Sequence, residues 1–151
     1  MTDVFIIGGG PAGLAAAMAV RRKGLAVTVA DAGRPPIDKP CGEGLMPDSL
    51  AAAARLGIVI PPDAGRAFRG IRFLGADGSA AGAFPEGEGL GVRRTTLHPI
   101  LVAEAERAGV QLMWATPVTG LRDGAVQLGR HAMGARWVVG AADLRRLSVM
   151  S

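Results

Sequence analysis

The sequence predicts an α/β fold, a parallel sheet with crossover helices and an added β-hairpin or meander. Three observations lead there. The apolar run Val4-Phe5-Ile6-Ile7 passes through Gly8-Gly9-Gly10-Pro11-Ala12-Gly13 into an alanine-rich stretch, which reads as strand, glycine turn and helix. A second apolar run, Leu25 to Ala30, ends in Asp31. Farther on, apolar residues at helical spacing over 97–108 precede the apolar run Val110 to Trp114. Helical and strand-like segments that alternate in this way favour parallel pairing.

The first turn carries the most chemistry. Gly8, Gly10 and Gly13 stand on a G-x-G-x-x-G spacing, and each has a physical task in a dinucleotide site. Gly8 permits the tight turn out of the strand. Gly10 lets backbone approach a pyrophosphate with no side chain between, and Gly13 lets the helix pack closely on the strand. The helix, read as Leu14 to Lys23 and stopped by Gly24, points its N-terminal N–H groups and positive dipole end at the phosphates. Pro11 suits the first turn, where an N–H would have had no intrahelical partner. Leu25 to Ala30 is near-continuously apolar, as a buried parallel strand should be. Asp31 lies 18 residues beyond Gly13, where a strand end holds a carboxylate against the two hydroxyls of a ribose.

The rest of the chain is read in order. Residues 32–44, rich in Gly, Pro and charge, are loop. Pro47 and Asp48 open a helix over about Ser49 to Leu56, closed by Gly57. Ile71 to Leu74 and Ala80 to Phe84 form a hairpin around Asp77-Gly78, and Pro85 to Gly91 is loop. Thr95 is expected to cap a helix from Leu97 to Ala108, with Pro99 early and Gly109 as its stop. Leu97, Ile100, Leu101, Ala105 and Ala108 give it one apolar face. Val110 to Trp114 is the third parallel strand. Thr116 to Arg122 and Ala125 to Gly129 form a hairpin at Asp123-Gly124, and Arg136 to Gly140 returns to the main sheet.

A chain of 151 residues can bury one sizeable core and is read as a single domain. No apolar run approaches the roughly 20 residues needed to span a bilayer, and no export signal is visible before the glycine motif. The single cysteine, Cys41, leaves no intramolecular disulfide to form, which fits a reducing cytoplasm. The net charge of +4 is spread along the chain, and only 4% of residues are aromatic. That argues against a nucleic-acid surface, where basic and stacking residues concentrate. His98 and His131 have no second ligand at a metal spacing, so they read as surface or helix residues and no metal site is expected. No Ser/His/Asp set or carboxylate pair stands out, so catalytic residues stay unassigned.

With Gly8 to Gly13, Asp31, Asp38-Lys39-Pro40-Cys41-Gly42-Glu43-Gly44-Leu45, Arg94 with its helix, and Val118 in hand, the chain resembles the N-terminal part of FAD-dependent oxidoreductases. It is most similar to the group that holds aromatic-ring hydroxylases, flavin halogenases and geranylgeranyl reductases. The resemblance implies a Rossmann-like FAD-binding domain, with FAD as cofactor and NAD(P)H as reductant. It places Gly8, Gly10, Pro11, Ala12 and Gly13 at the pyrophosphate and Asp31 at the adenosine ribose. It places Cys41, Gly42 and Gly44 along the flavin, Arg94 near the phosphates or ribityl chain, and the Val118 backbone at the adenine edge. Cys41 is read as a thiol that touches flavin without acting as a nucleophile, since no histidine lies near it in sequence to activate it.

The chain departs from that group at its end. Gly140-Ala141-Ala142-Asp143-Leu144 stands where the group has Gly-Ala-Asp-Gly, and the sequence stops at Ser151. The expectation is an incomplete module without a substrate domain or closing strand, inactive alone, with an open sheet edge that could self-associate. The hairpins at 71–84 and 116–129 are expected to expose apolar surface. Its substrate is a small molecule the sequence does not name. Two other readings stay open: a non-catalytic dinucleotide-binding module, and a plain NAD(P)-binding domain, in which Asp31 fits equally but Lys39-Pro40-Cys41-Gly42 finds no explanation.

Overall fold

The structure is a computed structural model and describes residues 1–39, 43–122 and 124–142. In chain order its elements are β1 (Thr2–Ile7), α1 (Pro11–Arg21), β2 (Val27–Ala30), β3 (Gly44–Leu45), α2 (Pro47–Arg55), a 3-10 turn (Pro62–Ala64), β4 (Arg66–Phe68), β5 (Gly70–Gly75), β6 (Gly78–Ala83), β7 (Gly89–Gly91), α3 (Arg94–Arg107), β8 (Gln111–Met113), β9 (Gly120–Arg122), β10 (Ala125–Leu128) and β11 (His131–Gly140). They divide into two compact units, Met1–Ile37 with His98–Ser151, and Asp38–Leu97.

The first unit is built on a six-stranded sheet in the order β8-β2-β1-β11-β10-β9. β1 pairs in parallel with β2 on one side and with the second half of β11 on the other, and β2 pairs in parallel with β8. Period-two alternation splits the side chains of β1 between the two faces. Phe5 and Ile7 join Ala30 and Val126 in one buried cluster, with Met113, Val118, Leu128 and Met133 packed against it. α1 packs on β1 and β2 and buries Gly13, Leu14, Ala17 and Met18. At the far end of α1, the Arg21 guanidinium donates to the carbonyls of Leu25 (2.8 Å) and Ala108 (3.1 Å), tying the α1–β2 turn to the end of α3.

The second unit holds a three-stranded sheet, β3-β7-β4, and a separate two-stranded hairpin, β5-β6. An apolar cavity of about 560 Å³ lies beside α2, lined by Leu50, Ala53, Ile58, Val59 and Leu90. Its one ionisable lining group, Glu88, is already paired with Arg69 at 2.6 Å.

Several expectations need correction. α3 begins at Arg94, so Thr95 lies inside the helix and cannot be its cap. The Glu43 carboxylate supplies that function by accepting the Arg94 N–H at 2.9 Å. Residues 89–91, expected as loop, are strand β7, because β3 and β4 pair with them from both sides. The β5–β6 turn falls at Ala76-Asp77, one residue early. β11 begins at His131 and pairs antiparallel with β10, which makes a three-stranded meander of the expected hairpin. The meander exposes apolar surface only in part, with Leu121 46% exposed but Val126 fully buried, whereas Phe73 and Leu74 of β5 are 71% and 80% exposed. Among the described residues no strand pairs with the second edge of Ala135–Gly140, where Trp137 is 62% exposed. No helix among the described residues is long and apolar enough to cross a membrane.

Candidate functional site

The site begins where β1 ends. Gly8 donates its N–H to the Ala30 carbonyl (2.8 Å) and turns the chain with φ +114°. Gly9 is buried, and a Cβ there would run into the Trp114 ring. Gly10 is extended (φ −75°, ψ 178°) and is the N-cap residue of α1, with Pro11 in the first turn. No side chain caps this helix, and its first turn carries no acid. Its first N–H groups and positive dipole end therefore stand ready for an anion. A Cβ at Gly13 would collide with the Gly8 carbonyl oxygen, so close packing of helix on turn requires glycine there. Ala12 is exposed at the same end. Uncapped amides behind a side-chain-free loop fit the pyrophosphate of a dinucleotide.

Asp31 is more than a strand-end acid. Its Oδ2 accepts the Gly9 N–H and its Oδ1 the Gly33 N–H, each at 2.8 Å, while its own backbone bonds Met113 and Thr116. The carboxylate thus fixes the glycine loop to the end of β2. Each oxygen keeps a further acceptor position, and the residue is half-buried rather than enclosed, so a ribose hydroxyl can still be received.

His98 is the residue that sequence reasoning missed. The sequence predicts a surface or helix residue there; the ring lies on α3 and is fully buried, with Nε2 at 2.8 Å from the Gly9 carbonyl oxygen and Nδ1 at 3.4 Å from the Ile37 nitrogen. Its ring meets Trp114 edge-on at 5.8 Å. The signal was present: His98 falls beside Leu97 and three residues before Leu101, on the buried face of α3.

The other candidates divide between the units. Gly8 to Gly13, Asp31 and Val118 belong to the first, where Val118 packs half-buried against the Phe5 cluster. Gly44 and Arg94 belong to the second. Gly44 is exposed on β3 opposite Gly91. Arg94 opens α3, and its Nε is shielded from solvent with no hydrogen-bond partner among the described residues, a donor to which an anionic group would be matched. Cys41 and Gly42 lie outside the described residues, as does Asp143.

Comparison with known proteins agrees with this geometry. A family model described as "FAD binding domain" matches residues 1–141. A menaquinone reductase of Mycolicibacterium smegmatis is 35% identical over 120 residues, which cover 77% of this chain and 29% of that protein. A flavoprotein/dehydrogenase of Cytophaga hutchinsonii superposes with a TM-score of 0.79 at 25% identity, over 96% of this chain and 40% of that one. The tetrameric form of 2-methyl-3-hydroxypyridine-5-carboxylic acid oxygenase reaches 0.82 at 21% identity, over 96% and 40%. The chain therefore spans less than a third of the length of the curated relative.

Proposed function

The chain belongs to the FAD binding domain family, and from that premise we propose that it serves an FAD-dependent oxidoreductase of the reductase branch, fed by NAD(P)H and acting on a quinone-like or isoprenoid substrate. One observation carries the reading: the 35% identity to a menaquinone reductase spans 77% of the chain. FAD binding itself follows from the family and from the uncapped glycine loop. When bound, the flavin supplies the two-electron redox chemistry, and the protein supplies binding and orientation.

In this reading Gly8, Gly10, Pro11, Ala12 and Gly13 frame the pyrophosphate. Asp31 takes the ribose, and Val118 lines the adenine edge. Arg94 offers to an anionic part of the cofactor an Nε that has no partner among the described residues. Cys41, Gly42 and Gly44 line the flavin. A cytoplasmic setting is in keeping with the single Cys41. The exposed edge of Ala135–Gly140 supports a second reading, a dinucleotide-binding module that associates through that edge.

Purified chain is expected to take up FAD, followed by flavin fluorescence quenching, and to elute as a self-associated species in size-exclusion chromatography. Bleaching of the bound flavin by NADPH or NADH under anaerobic conditions tests the reductant. A chain that binds NAD but not FAD would overturn the flavin assignment.

Asp31→Ala is expected to weaken both FAD and ADP by about 1.5–3 kcal/mol, through loss of a charge-assisted acceptor and of the support for Gly9 and Gly33. Calorimetry measures it directly. Unchanged affinity for both ligands would sink the ribose role.

A further inference from the structure

We propose that His98 is a positioning residue for the cofactor loop: its Nε2–H holds the Gly9–Gly10 peptide in the orientation that turns the Gly10 N–H toward the dinucleotide's pyrophosphate. The proposal rests on the FAD-binding reading given above and adds to it a residue outside the glycine motif.

The protonation pattern follows from the partners. A carbonyl oxygen only accepts, so Nε2, 2.8 Å from the Gly9 oxygen, carries the hydrogen. A backbone N–H only donates, so Nδ1 presents its lone pair to Ile37. Both contacts demand the same neutral tautomer, which is donor on one side and acceptor on the other. The ring is fully buried and braced edge-on by Trp114, whose side chain also closes the space over Gly9. His98 therefore has one orientation available.

The consequence lies in peptide geometry. In a planar trans peptide the C=O and the following N–H point in opposite directions. With the Gly9 carbonyl held on buried His98, the Gly10 N–H faces away from the core. The preceding peptide is held too, because Asp31 Oδ2 accepts the Gly9 N–H at 2.8 Å. Two successive peptides of a glycine-only segment, which would otherwise rotate at little cost, are thus fixed, one by Asp31 and the other by His98. The loop is set before the anion arrives, and preorganisation of this kind raises affinity by removing an ordering cost.

The test separates the two nitrogens. A glutamine amide nitrogen reaches the place of Nε2, whereas an asparagine oxygen reaches only that of Nδ1. In the full chain, His98→Gln is expected to bind FAD and ADP within about threefold of the parent, and His98→Asn to lose roughly tenfold or more for both. Melting temperatures of the two variants should differ less than their affinities do. Equal affinities for the Gln and Asn variants, with the parent binding normally, would overturn the positioning role alone. A parent that binds neither FAD nor ADP would overturn the cofactor reading as well. Nitrogen-15 spectra of the parent give a check that needs no variant: the Nε2–H tautomer at His98 is expected, and the Nδ1–H tautomer would refute the proposal.

Discussion

Gly10→Val is expected to leave the fold standing and to cut FAD affinity at least about 100-fold, or roughly 2.7 kcal/mol. The separation of the two effects comes from the backbone. Gly10 sits at φ −75° and ψ 178°, extended backbone that valine adopts without strain. It is half-buried at the mouth of the loop and is the N-cap residue of α1, so the substitution adds bulk beside the helix amides. The branched Cβ then stands where backbone and pyrophosphate must meet. The cost to the helix of valine at the N-cap is at most about 1 kcal/mol. Thermal melting and FAD titration on the same sample check both halves. A folded variant with the parent's affinity would place the phosphates elsewhere.

What the sequence made legible was local. The glycine spacing, the apolar runs at β1 and β2, and the acid after β2 are each decided by neighbours a few residues apart. The structure keeps that order, with β1 starting earlier, at Thr2, and β2 later, at Val27. What stayed hidden depended on partners far along the chain. β4 and β7 are three residues each, with two glycines in β7, and no alternation marks them. They are strands because β7 is paired on both sides. The start of α3 could not be found from its own residues, since the cap is Glu43, 51 positions away. Thr95 satisfied the local rule and lost to a distant carboxylate.

The site follows the same division. Asp31 was legible as an acid at a strand end, but its grip on Gly9 and Gly33 exists only once the loop has closed. The sequence alone puts His98 on a helix or at the surface, because it has no second ligand at a metal spacing. A histidine among Leu97, Leu101 and Ala105 must be buried when that face packs, and a buried imidazole requires partners. The sequence thus implied a hydrogen-bonded histidine without naming Gly9.

The second large effect concerns stability rather than binding. Gly8→Ala is expected to cost about 2–6 kcal/mol, a large share of the 5–15 kcal/mol that holds a domain of this kind together. Two terms add. At φ +114° an L-residue is strained by about 1–3 kcal/mol. The added Cβ would also stand 2.7 Å from the Ala141 carbonyl carbon and 2.8 Å from the Ala142 nitrogen. These are backbone atoms just beyond β11, and they cannot rotate aside as a side chain would. The Ala141 N–H is bonded to the Ile7 carbonyl at 2.8 Å, so making room pulls on the junction of β1 with β11, at an overpacking cost of about 1–3 kcal/mol. Gly24→Ala isolates the first term. It also has positive φ, +80°, but nothing lies within 4 Å of its Cβ position, so only the left-handed penalty of about 1–2 kcal/mol applies. At roughly 2–4 °C per kcal/mol, Gly8→Ala should melt about 5–20 °C below the parent, and Gly24→Ala only a few degrees below. Equal melting of the two variants would show that the end of β11 does not press on the glycine turn.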